Sequence, residues 1–132
     1  MAEVQIPPTT KINTGAEVSM VGFGCFNPGN PPGIIPGIEA ATKIGYTHYD
    51  TAALYENEKE VGDVLRASGI PREKLFVTTK VFNDCHHNVE ASFDRSLKAL
   101  NLDYIDMFLM HWPQATVPGQ KYVADNLSLI HI

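Results

Sequence analysis

The chain is poor in several things, and each shortage closes a class of protein. It has two cysteines, Cys25 and Cys85, far apart and in no C-x-x-C pair. Neither a disulfide framework nor a thiolate metal site is therefore expected, and free thiols suit a reducing compartment. It has no excess of positive charge: 10 Lys and Arg against 15 Asp and Glu leave a formal net charge of -5. That balance offers no electrostatic footprint for nucleic acid or an anionic membrane. No apolar run approaches the roughly 18 residues of a membrane span. The opening "MAEVQIPPTTKI" lacks a basic n-region and an apolar h-region, so a cytoplasmic location is expected. The glycosylation-like triplet Asn126-Leu127-Ser128 is then accidental. Low-complexity stretches and linkers are absent too, and no G-x-G-x-x-G follows the first strand candidate, which weakens a dinucleotide-binding open sheet.

What is present is the makeup of one globular domain, 132 residues with 44% hydrophobic and 19% charged. Asn13-Thr14-Gly15 sits between two short β-compatible pieces, a hairpin signal. Val21–Gly24 reads as a strand and Asn27–Gly33 as a Pro- and Gly-rich loop. Ile34, Ile38, Ala41 and Gly45 recur at helical spacing, with Gly45 suited to the C-terminal end. Tyr46–Asp50 is a second strand. Asn57 is expected to cap the next helix with Glu60 as its capping-box partner, the charged Glu56–Glu60 run facing water and Val61, Val64, Leu65 and Ser68 on the inner face. Leu75–Val81, β-branched and aromatic, is a third strand. Asn88 opens a third helix with an apolar stripe of Val89, Phe93, Leu97 and Leu100. Asp103–Met110 is nearly continuous in apolar residues, as in a strand covered on both faces.

Strands and helices that alternate in this way imply a parallel sheet with right-handed crossovers. Each β/α unit takes about 30 residues, the rhythm of an eightfold barrel of about 250. Periodicity does not separate such a barrel from an open doubly wound sheet. In either, chemistry gathers outside the carboxyl ends of the strands. The residues there are Gly24, Cys25 and Phe26, then Asp50 and Tyr55, then Lys80, then His111 and Trp112. Taken singly, Asp50 is a turn cap, Tyr55 a rim aromatic, Lys80 a solvated cation and His111 a packed imidazole. Taken together, they form an acid–base set. A free Tyr has a pKa near 10, and a nearby Lys cation favours its ionised form. A carboxylate can hold that Lys, and a His can hydrogen-bond a carbonyl oxygen. The set describes proton transfer to an oxygen passing from carbonyl to alcohol, with an external hydride donor to supply the electron pair. Asp84-Cys85-His86-His87 is consecutive in a loop and cannot converge on one ion, so no metal site is expected.

"YDTAALYENEKEVG", "LFVTTKV" and "LDYIDMFLMHWP" resemble the aldo-keto reductases, with D-x-x-x-x-Y, a strand-ending Lys and a strand-ending H-W-P. The resemblance runs from about Lys11 to Pro113. It implies the N-terminal half of a TIM (β/α)8 barrel, about four β/α units capped below by the hairpin, and reduction of aldehydes and ketones with NADPH, or NADH, as hydride source. Tyr55 would be the general acid, Asp50 and Lys80 would tune it, and His111 would orient the carbonyl. Gly24, Cys25 and Asp50 would lie against the cofactor, and Phe26, Phe82, His111 and Trp112 against a small-molecule carbonyl substrate. Cys25 and Phe26 depart from the Thr and Trp usual in the family. The same resemblance allows a non-catalytic relative that serves as a binding or regulatory subunit.

Residues 114–132 form a divergent tail, so the chain is expected to be a single partial domain. With strands one and four left as open edges it would self-associate and turn over little, whereas the parent barrel is expected to be a monomer.

Overall fold

The structure is a computed structural model, and it describes residues 8–120 and 127–128. Residues 1–7 of the segment read for a secretory signal, Asn126 of the sequon and residues 121–126 and 129–132 of the tail lie outside the described residues. Thr9–Lys11 (β1) and Glu17–Ser19 (β2) pair antiparallel, with Thr9 opposite Ser19, as the Asn-Thr-Gly signal predicts. Gly15 takes a φ of 85°, which closes the turn at no Cβ cost.

The body is a four-stranded parallel sheet in chain order: Phe23–Gly24 (β3), His48–Asp50 (β4), Phe76–Val81 (β5) and Met107–Met110 (β6). Gly24 lies opposite Asp50, Asp50 opposite Thr78, and Lys80 opposite Leu109. The helices Ile35–Lys43 (α1), Glu58–Ala67 (α2) and Val89–Leu100 (α3) are the crossovers between successive strands. Two short strands, Gln114–Ala115 (β7) and Leu127–Ser128 (β8), pair antiparallel beyond β6.

The two-residue period of a strand sorts its side chains between two faces. Tyr49 and Val77 join Cys25, Ile38, Ala41, Val61, Leu65, Leu75 and Leu100 in one buried cluster beneath the helices. The alternate residues, His48, Asp50, Thr78 and Lys80, share the other face, where His48 Nε2 and Thr78 Oγ1 lie 3.3 Å apart. The apolar spacing read in α1 is realised by buried Ile38 and Ala41, and Gly45 follows that helix at φ 90°. Asn88 accepts from the Ala91 N–H at 3.2 Å and caps α3.

Four sequence expectations are corrected. Asn57 stands at the N-cap of α2, yet its side chain makes no cap hydrogen bond. Within the charged run, Asn57 and Glu58 are buried rather than facing water. Of the apolar stripe expected in α3 only Leu100 is buried; Phe93 and Leu97 are half-buried and Val89 is exposed, and Ser92 and Ser96 complete the buried face, where Ser96 meets Glu58 of α2. Finally, β6 is not covered on both faces: Leu109 and Met110 are exposed, and β6 pairs with β5 alone among the described strands.

Candidate active site

Three chain segments bring the site together. Asp50 ends β4 and faces away from the helices. Tyr55 closes a single 3-10 turn, Ala53–Tyr55, whose N–H bonds run Tyr55 to Ala52 (3.0 Å) and Glu56 to Ala53 (3.3 Å). Glu56 then adopts a left-handed φ of 55°, uncommon without glycine, and this turns the chain into α2. Lys80 lies near the end of β5, on the same sheet face as Asp50.

Lys80 Nζ sits at the centre. It ion-pairs with Asp50, donates to the Thr51 carbonyl at 2.9 Å and lies 3.3 Å from Tyr55 Oη. Its side chain is 13% exposed, so the ammonium is largely withdrawn from water and held by these oxygens. This is the contact on which the acid–base reading rests, and it is present.

His111 follows β6, and its backbone N–H donates to the Val81 carbonyl at 3.0 Å. Its ring stands edge-on to Tyr55 at 5.6 Å between centroids and edge-on to Phe82 at 5.7 Å, with Trp112 near-parallel at 6.1 Å. Burial, and then the Lys80 cation, hold its pKa below the ordinary histidine value. The ring is therefore the neutral imidazole at pH 7, able to donate one hydrogen bond. Its Nδ1 is buried with no hydrogen-bond partner among the described residues.

Phe26 covers the other flank of Tyr55 at 4.9 Å between centroids. Phe26 and Trp112 are 56% and 55% exposed and form two aromatic walls open to solvent. Gly24 is exposed at the β3 end, with open space where a Cβ would stand. Two residues expected against cofactor or substrate have buried side chains. Cys25 is wholly buried in the core, with its thiol pushed up to about 12 by burial and then by the Asp50 charge. Phe82 is buried behind His111 and presents almost no surface to a substrate.

Reading the sequence missed the pair beneath Tyr55. Asn57 Nδ2 donates to the Cys25 carbonyl at 2.8 Å, and Thr51 Oγ1 donates to Asn57 Oδ1 at 3.4 Å. The Glu58 carboxylate accepts from Thr79 Oγ1 at 2.6 Å and Ser96 Oγ at 3.1 Å. Helical spacing carried the signal: Glu58 is three residues before Val61 and seven before Leu65, on the buried stripe of α2.

The description "Aldo/keto reductase family" belongs to the family model that matches residues 21–130. The chain belongs to the aldo/keto reductase family. It is 43% identical over 118 residues to glycerol 2-dehydrogenase (NADP(+)) of Saccharomyces cerevisiae, covering 89% of this chain and 38% of that one. It is 42% identical over 107 residues to glyoxal reductase of Bacillus subtilis, 80% of this chain and 39% of that one. A solved aldo-keto reductase of Bombyx mori in complex with NADP superimposes with a TM-score of 0.83 at 36% identity, over 94% of this chain and 43% of that one. The fold of this family member is thus the first part of an α/β barrel, and the chain spans well under half the length of these relatives.

Proposed function

We propose that the Asp50–Tyr55–Lys80–His111 site reduces aldehydes or ketones to alcohols as part of a reductase barrel. The observation that carries this reading is the Lys80 ammonium shared between the Asp50 carboxylate and the Tyr55 hydroxyl. A substrate carbonyl oxygen placed between Tyr55 and His111 would accept a hydrogen bond from the neutral imidazole, which polarises it. Tyr55 would then give its phenolic proton to that oxygen as it gains negative charge. Lys80 would stabilise the charge left on the phenol oxygen, and Asp50 would hold Lys80 in place. The named relatives include an NADP(+) dehydrogenase and a structure in complex with NADP. The open surface at Gly24 and the Asp50 carboxylate, 38% exposed, fit such a group here. NADPH, or NADH, would supply the hydride when bound. The aromatic walls of Phe26 and Trp112 suit a small apolar carbonyl compound.

The test is oxidation of NADPH with a panel of small aldehydes. It is read in a chimera in which residues 21–113 replace the matching stretch of the yeast dehydrogenase. Tyr55→Phe should lower turnover by about 100-fold or more, as expected for loss of a positioned general acid. Equal activity of the chimera and its Tyr55→Phe variant would overturn the proton-donor role. A binding or regulatory subunit would take up the cofactor without oxidising it. The 132-residue chain alone carries four barrel strands among its described residues and should turn over little. Aldehyde reduction by it at ordinary enzyme rates would refute that.

A further inference from the structure

We infer that Asn57 and Glu58 are positioning residues: together they fasten the start of α2 to three strand ends and thereby hold the Tyr55 hydroxyl against Lys80. The inference rests on the reading of Tyr55 as the proton donor. The short turn that carries Tyr55 is closed by bonds within itself, Tyr55 to Ala52 and Glu56 to Ala53. A single left-handed residue separates it from Asn57. The C-terminal side of that turn is therefore placed by whatever holds Asn57 and Glu58.

Three of the four anchors of that pair are chain neighbours of a site residue. Asn57 donates to the carbonyl of Cys25, which lies between Gly24 and Phe26, and Phe26 packs on the Tyr55 ring. Asn57 accepts from Thr51, which follows Asp50 and whose own carbonyl accepts from Lys80. Glu58 accepts from Thr79, the residue before Lys80, and from Ser96 of α3. Because β5 alternates its faces, Thr79 reaches the helix layer while Lys80 reaches the site, so one strand register serves both contacts.

The chemistry of the pair is hard to explain by local stability. Asn is a favoured N-cap residue, and here it stands at the cap position while its side chain is spent on β3 and β4 instead. Burying a carboxyl is unfavourable, and burial indeed raises the Glu58 pKa, opposed by the bonds from Thr79 and Ser96. Two buried polar side chains in succession, each bonded to a different strand, define an orientation that apolar packing would leave free to slide.

The experiment follows Tyr55 by NMR in the 132-residue chain with 13Cζ-labelled tyrosine, its signal assigned by loss in Tyr55→Phe. Asn57→Ala and Glu58→Ala should each shift the Tyr55 signal and abolish the nuclear Overhauser contact between the Tyr55 ring and the Lys80 side chain. Tyr49, in the core on the helix side of β4, should keep its signal. Glu58→Gln should restore both Tyr55 features, since the amide keeps an acceptor for Thr79. If Glu58→Ala fails to fold, Thr79→Val removes the same bond from its other end and should give the same loss. An unmoved Tyr55 signal with the Lys80 contact intact in Asn57→Ala and in whichever of Glu58→Ala and Thr79→Val folds would overturn the inference. These readouts need no turnover. A fully active Tyr55→Phe chimera would therefore sink the proton-donor role while leaving the positioning result to stand or fall on the spectra.

Discussion

The middle of the sheet and its β6 edge carry side chains of similar apolar character and treat them differently. Around α2, Ile38, Tyr49, Val61, Leu65 and Val77 are completely buried, and the polar Asn57 and Glu58 are buried with them. Around β6, Phe93 and Phe108 meet edge-on at 5.3 Å but keep partial exposure, and Leu109, Met110 and Trp112 lie largely open. An element in the middle of a layer has a neighbour on each side and an element at its edge has one, so apolar character states only a preference for burial. The available neighbours decide whether it is met. Among the described residues β6 has a strand partner on one side alone, and its other edge is a template for association.

Five substitutions or titrations would break or sharpen that contrast. One of the two largest effects is expected at Gly62, where an added Cβ would overlap the Leu100 carbonyl oxygen of α3. The obstacle is backbone, which cannot rotate away as a side chain could. Gly62→Ala should cost about 3 kcal/mol, read from the urea midpoint, and a parental midpoint would show that α2 and α3 can move apart. Next, Leu65→Ala in the packed half should cost about 3 kcal/mol. Leu109→Ala at the edge should cost under about 1 kcal/mol. Equal losses would mean the two halves are packed alike.

A smaller effect is the pH dependence contributed by Glu58. Burial raises its pKa above the ordinary 4.5, so the folded chain keeps that proton to higher pH than the unfolded chain. The stability this proton contributes is fully present below the ordinary carboxylate range and is lost as pH rises through the folded value. Glu58→Gln should remove that fall, and melting temperatures from pH 4 to 8 with the same slope as the parent would contradict it. The smallest effect is a titration at the edge of the site. His111 has its pKa lowered by burial and then by Lys80, so its imidazole resonances should titrate with a midpoint below 6.5. A midpoint above that value would mean the ring is held by a carboxylate rather than by its burial.

Much of this was legible beforehand. The alternation of apolar runs and turn residues located the strands and helices to within a few residues. The strand-ending positions of Asp50, Lys80 and His111 followed from that alternation. The burial of Asn57 and Glu58 did not, because a charged run before a helix has the same appearance whether it faces water or a neighbouring strand. The fate of the α3 stripe did not either. Val89 and Phe93 have the period of a buried face, and only the position of α2 shows that Ser92 and Ser96 occupy that face instead.

The order of residues alone determined the alternating plan and which chemical groups would stand at the strand ends, because short-range periodicity and turn chemistry act along the chain. The tertiary structure alone decided that Lys80 touches both Asp50 and Tyr55, that Cys25 turns inward and that a carboxylate lies beneath the site. Those outcomes depend on register and helix placement between residues 20 to 40 positions apart, distances at which neighbours along the chain carry no information.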